Sequence, residues 1–105
     1  MIEFPSQERF KTWLQRQPQD KPVAANWTSE NCPLCAFLKA HGCDDPEVTP
    51  WTWSEDSLSA PRKLPGWARE FTDFVDRVKP REVTPEDCLF IMDLPYFRPS
   101  RWGNA

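Results

Sequence analysis

The chain has 105 residues, a net charge of −3, four Cys, twelve Pro and only three Gly. That length suits one domain with a real core, and its 13% aromatic content excludes a disordered chain, which lacks rings able to bury surface. Three scattered glycines leave no Gly-rich phosphate loop. The charge is uneven: residues 28–60 hold six acids and one base, residues 61–81 six bases and three acids. An acidic middle argues against direct nucleic-acid binding, whose affinity comes mainly from neutralising phosphates. The first residues, Met1-Ile2-Glu3-Phe4-Pro5, show no basic region followed by an apolar run, and no stretch approaches a membrane span. The expected location is cytoplasmic, with cysteines free or metal-bound rather than in a disulfide framework.

Taken in chain order, residues 6–17 predict a helix capped by Ser6 and bracketed by Pro5 and Pro18, with Phe10, Trp13 and Leu14 on its buried edge. Residues 18–30 read as a loop, with Trp27 reaching back to the core. Residues 32–41 predict a short central helix. Asn31 caps it, Pro33 lies in its first turn, and Leu34, Phe37, Leu38 and His41 lie on one face. Gly42 closes it in the left-handed conformation.

An acidic turn follows at Asp44, Asp45 and Glu47. Val48 to Ser54 then suits a short strand with Pro50 near its start and Trp51 and Trp53 on one face. Residues 55–63 read as a polar loop around Leu58. Trp67, Phe71, Phe74, Val75 and Val78 define an amphipathic helix from about Pro65, with Arg69, Glu70, Asp73, Asp76 and Arg77 on its other faces. Thr84-Pro85-Glu86-Asp87 has the form of a cap leading into a last helix through Asp93. Its run from Cys88 to Met92, including Leu89 and Ile91, also suits a buried strand. Residues 1–94 are expected to form the domain and residues 95–105 an aromatic, slightly basic C-terminal tail. The fold class expected is mainly α: three or four short helices with a minor β element and Pro-rich loops.

Cys32-x-x-Cys35 admits three readings. A zinc site would use Cys32, Cys35, His41 or Cys43, and Cys88, but a second close ligand pair is missing. A redox pair would profit from a helix N-terminus yet lacks a strand–helix context. Small buried thiols are the plainest reading and the one adopted, so no metal or cofactor is expected. His41 suits a helix-end carbonyl better than catalysis. Cys43, His41 and Asp44 or Asp45 are adjacent only in sequence, which does not make a triad. No enzyme is expected.

The layout Phe10-x-x-Trp13-Leu14, Cys32-Pro33-Leu34-x-x-Phe37-Leu38 and Leu64-Pro65-x-Trp67-x-x-x-Phe71 resembles short uncharacterised open reading frames of phages and bacteria. The family carries no assigned activity. What the resemblance implies is a mobile-element context, where small acidic proteins act as inhibitors of host defence and would work in the host cytoplasm.

The function expected is therefore a small protein-binding module, with a phage-encoded inhibitor of a CRISPR-type effector as the form that the resemblance suggests. The alternative is a structural-zinc accessory domain on the cysteines above. Binding is expected through Asp44, Asp45, Glu47, Trp51, Trp53, Glu55 and Asp56, toward a partner with a basic surface. Phe97, Arg98, Arg101 and Trp102 form a second candidate surface. Loops and aromatic rings of this kind concentrate binding energy.

Overall fold

The computed structural model describes residues 3–23, 32–56, 58–78 (Val78 as backbone only) and 82–102. Asn31, Trp27 and the side chain of Val78 lie outside that set. Among the described residues, four α-helices and a three-stranded antiparallel sheet make up the fold, so the β element is more than minor.

Helix α1 spans Gln7–Gln15, and Ser6 caps it by accepting the Arg9 N–H at 3.3 Å. Helix α2 spans Pro33–Ala40. Within the described residues its N-cap is Cys32, whose sulfur accepts the Cys35 N–H at 3.4 Å. Gly42 closes it at φ +98°, the left-handed conformation that favours glycine. Leu34, Phe37 and Leu38 are buried, whereas His41, placed on the same face by its spacing, is exposed at the helix end.

The segment read as one strand is a hairpin. Strands β1 (Glu47–Val48) and β2 (Thr52–Ser54) pair with Glu47 opposite Ser54 and Val48 opposite Trp53. Between them Thr49-Pro50-Trp51-Thr52 turns, with proline at the second turn position, where its fixed φ is an advantage. The stretch read as a polar loop supplies β3 (Arg62–Lys63), which pairs with β2 at Thr52–Lys63 and Trp53–Arg62. Two residues are too few to show a period, so β3 has no signal of its own.

Helix α3 (Gly66–Val78) follows the predicted stripe, with Trp67, Phe71 and Val75 buried. Helix α4 (Pro85–Met92) is helical rather than extended. It starts at a capping box in which Thr84 and Asp87 exchange side-chain-to-backbone hydrogen bonds at 3.1 Å.

Phe10 sits at the centre of the core. Its ring lies 5.0 Å from Phe37, 5.4 Å from Trp67 and 5.1 Å edge-on from Phe71, tying α1, α2 and α3 together. Such pairs add to the large apolar area each ring removes from water. Residues 95–102 are not a free tail. They fold back onto α3, with Phe97 half-buried against Phe74 at 6.0 Å and a 3-10 turn at Pro99–Trp102.

Candidate functional site: an aromatic cleft beneath Trp51

The site starts with the hairpin turn. The Thr49 N–H donates to the Thr52 carbonyl at 2.8 Å, and the Thr49 hydroxyl accepts the N–H groups of Trp51 at 3.2 Å and Thr52 at 2.9 Å. The two threonine hydroxyls also meet at 2.9 Å. This side chain-to-backbone mesh fixes the turn. Trp51 therefore stands on a held backbone while its side chain is open to solvent, with 61% of the residue exposed.

Trp53, expected beside it on one face, is core instead, at 3% exposure. Alternation applies only within a strand, and Trp51 belongs to the turn. The Trp53 ring meets Phe4 edge-on at 5.1 Å, and the Arg62 guanidinium covers it at 4.1 Å from its centroid. Arg62 in turn pairs with Glu55 at 2.7 Å.

Below Trp51 opens a cleft of about 980 Å³ between residues 3–7, strands β2 and β3, the start of α3 and Trp102. That volume lies at the upper end of ligand sites. Its apolar lining comes from Phe4, Leu64, Pro65, Trp67 and the hairpin tryptophans, and its charges are Glu3, Arg62, Lys63 and Arg69. Phe4, Lys63 and Arg69 were not singled out from the sequence. The available signal was Arg62-Lys63 set between Pro61 and Pro65, which marks a short stiff segment presenting two cations.

A buried carboxylate positions the far wall. Glu70, placed by its spacing on another face of α3 than the apolar stripe, is wholly buried. Its Oε2 accepts the Arg98 N–H at 2.6 Å, its Oε1 accepts the Trp102 indole N–H at 2.8 Å, and the Arg101 guanidinium lies at 3.5 Å. Charge-assisted bonds of this kind are what let a carboxylate sit inside a fold. With its indole edge anchored, Trp102 offers a ring face to Arg69, whose guanidinium stacks 4.4 Å from the centroid. Of the second candidate surface, then, Phe97 and Trp102 are half-buried in this docking, the Arg98 backbone is used by Glu70, and Arg98 and Arg101 keep exposed side chains.

The acidic residues do not join Trp51. Glu47 and Glu55 lie toward the open end of the hairpin, two and three residues from the turn and so roughly 7–10 Å along the strands, with Asp44 and Asp45 exposed before β1 and Asp56 after β2. Glu55 is engaged by Arg62, and Asp56 accepts the Leu58 N–H at 2.9 Å and the Ser59 hydroxyl at 3.0 Å. Those two bonds, the Leu58 amide first, lower the Asp56 pKa. The buried Cys43 thiol lies in the field of this cluster: burial first, then the Glu55 charge, pushes its pKa up.

The other thiols are interior groups. Cys32 and Cys35 approach to 3.4 Å between sulfurs at the start of α2. Donating a hydrogen bond to Cys35, with burial next, holds Cys32 well above the ordinary thiol range, and receiving that bond lowers Cys35. Cys88 lies in the core, where desolvation strongly raises its pKa. His41 places Nδ1 3.0 Å from the Phe37 carbonyl, the helix-end role expected of it. Among the described residues no three His, Cys, Asp or Glu side chains stand together as a metal would require, so the zinc set is not gathered there. Among them, too, no helix is long and apolar enough to cross a membrane.

Comparison with protein-family models, with curated proteins and with solved structures finds no match to this chain.

Proposed function

We propose that this chain is a non-catalytic protein-binding module that grips its partner between Trp51 and the cleft below it. The observation that carries the reading is the pairing of an exposed indole with a hydrogen-bonded turn. A single exposed apolar side chain is ordinary on any protein. An indole whose backbone is already fixed, at the lip of an aromatic cleft, is different, because little ordering remains to oppose binding. An inhibitor of a host defence complex is one form such a module takes, and the identity of the partner decides it.

The basic-surface partner suggested by the acidic segment has less support. Glu55 and Asp56 are already engaged within the chain, leaving Asp44, Asp45 and the half-buried Glu47. The zinc accessory alternative lacks a third ligand beside Cys32 and Cys35 among the described residues.

Affinity capture from a lysate of the host cell, quantified by mass spectrometry, tests the reading. Wild type is compared with Trp51→Ala and with Phe90→Ala, which alters an exposed ring on α4. The module reading expects the same captured protein with wild type and Phe90→Ala, and its loss with Trp51→Ala while circular dichroism is unchanged. Capture indifferent to Trp51 would contradict it.

A further inference from the structure

We infer that the cleft takes an extended peptide segment of the partner carrying a carboxylate side chain beside an apolar one. The inference rests on the protein-binding reading and adds the ligand's chemistry.

Charge is the first argument. Of the four charged residues lining the cleft, Arg62 is neutralised by Glu55 at 2.7 Å. Lys63 is exposed on β3, and the Arg69 side chain makes no ion pair among the described residues. Glu70, its neighbour in sequence, does not serve it, because that carboxylate is taken by Arg98, Trp102 and Arg101. Among the described residues, two cations without an acidic partner thus line the cleft, with Glu3 as the one acid beside them.

Arg69 supplies the second argument. A guanidinium stays charged under all ordinary conditions and holds its donors in one plane. Stacking on Trp102 uses a face of that plane and none of the donors. Arg69 Nε is buried without a hydrogen-bond partner, the sole side-chain nitrogen or oxygen so left among the described residues. Buried polar groups are normally satisfied, so this nitrogen shows a guanidinium whose charge the described part of the fold leaves without a counterpart. An acidic side chain entering the cleft would offset this charge, as electrostatic complementarity requires.

The apolar half of the ligand follows from the walls. Trp51, Phe4, Leu64 and Pro65 supply rings and aliphatic surface, and the volume has room for several residues of an extended chain. Single-stranded nucleic acid is less well matched. It needs successive open ring faces along a basic track. Here Trp53 is covered by Arg62, Trp102 by Arg69, and Trp67 is 8% exposed, which leaves Trp51.

A random twelve-residue peptide library displayed on phage, selected against the full chain, tests this. Enriched peptides are then synthesised, along with versions in which Asp and Glu become Asn and Gln. The inference expects an acidic residue next to an apolar one and a loss of affinity on the order of tenfold on amide replacement. It also expects weakening in high salt and by Lys63→Gln and Arg69→Gln, and no binding to Trp51→Ala. Lys63 is exposed, so its substitution reads charge even if Arg69→Gln disturbs Trp102. Trp51-dependent peptides that tolerate the amide replacement would overturn the acidic ligand and leave the module standing. No Trp51-dependent peptide at all would overturn both. A fifteen-residue oligothymidylate that binds in preference to every selected peptide would give the cleft to nucleic acid and overturn the inference.

Discussion

The indole N–H of Trp102 donates to Oε1 of Glu70 at 2.8 Å, joining two residues 32 apart in sequence. Because Glu70 is wholly buried, the carboxylate depends on the C-terminal segment for its partners, and that segment depends on Glu70 for its place. Glu70→Ala would leave the Arg98 amide and the Trp102 indole without their acceptor and open a void. It should cost about 2–4 kcal/mol in urea unfolding. Trp102→Phe removes the N–H donor together with part of the ring and should cost about 1–3 kcal/mol. If residues 95–102 were a dispensable tail, both variants would unfold with the wild type.

The aromatic core gives a second expectation. Leu38 and Phe71 are fully buried, and Phe71 meets Phe10 edge-on at 5.1 Å. Leu38→Ala and Phe71→Ala should each destabilise by about 2–5 kcal/mol, the range found when large buried side chains are truncated. Thermal melts within a degree or two of the parent would mean that these stripes do not face the core.

Alkaline pH offers a third. Burial raises the Cys88 pKa in the folded chain above its unfolded value of about 8.5. A raised folded pKa means that the folded state keeps a proton the unfolded state loses. The stability involved is therefore complete below the unfolded pKa and declines as pH rises above it, by about 1.4 kcal/mol per pH unit for one thiol. Cys32 acts in the same direction and Cys35 in the opposite one. Between pH 8.5 and 10 a Cys88→Ala variant, though less stable overall, should lose stability less steeply than wild type. Parallel profiles would show that Cys88 is not held neutral by the fold.

How much of this was legible in the sequence depends on how far each interaction reaches. The Ser6 and Thr84 caps, the Gly42 stop and the Trp67–Val75 stripe are local patterns, and all four appear where expected. Strand β3 was illegible because two residues carry no period, and its existence depends on β2 beside it. The Thr49–Thr52 turn was legible in principle: proline second in a Thr-Pro-Trp-Thr stretch is a turn signal. Reading Val48 to Ser54 as one strand hid it, and with it the separation of Trp51 from Trp53. The burial of Glu70 had no local sign, because its partners lie 28 and 32 residues away. The split between the acidic open end and the Trp51 end of the hairpin needed the register itself.

The turn can be tested apart from the ring it carries. Thr49→Val keeps the β-branched shape but removes the oxygen that accepts the Trp51 and Thr52 amides. A loss of about 1 kcal/mol in stability is expected, with faster amide exchange at Trp51 and Thr52. Partner affinity should fall as well, since the indole would then have to be ordered on binding. Unchanged exchange at both amides would contradict a turn held by that hydroxyl.

Whether the partner sits on Trp51 is read directly by site-specific photo-crosslinking in living cells. Trp51 is replaced by p-benzoylphenylalanine, and in a separate variant Phe90 is replaced in the same way. Both positions are exposed, at 61% and 65%, so both probes are free to react. A partner seated on Trp51 gives a discrete protein adduct at position 51, diminished by Lys63→Gln, and none of the same mass at position 90. An adduct that forms at position 90 and not at 51 would contradict it.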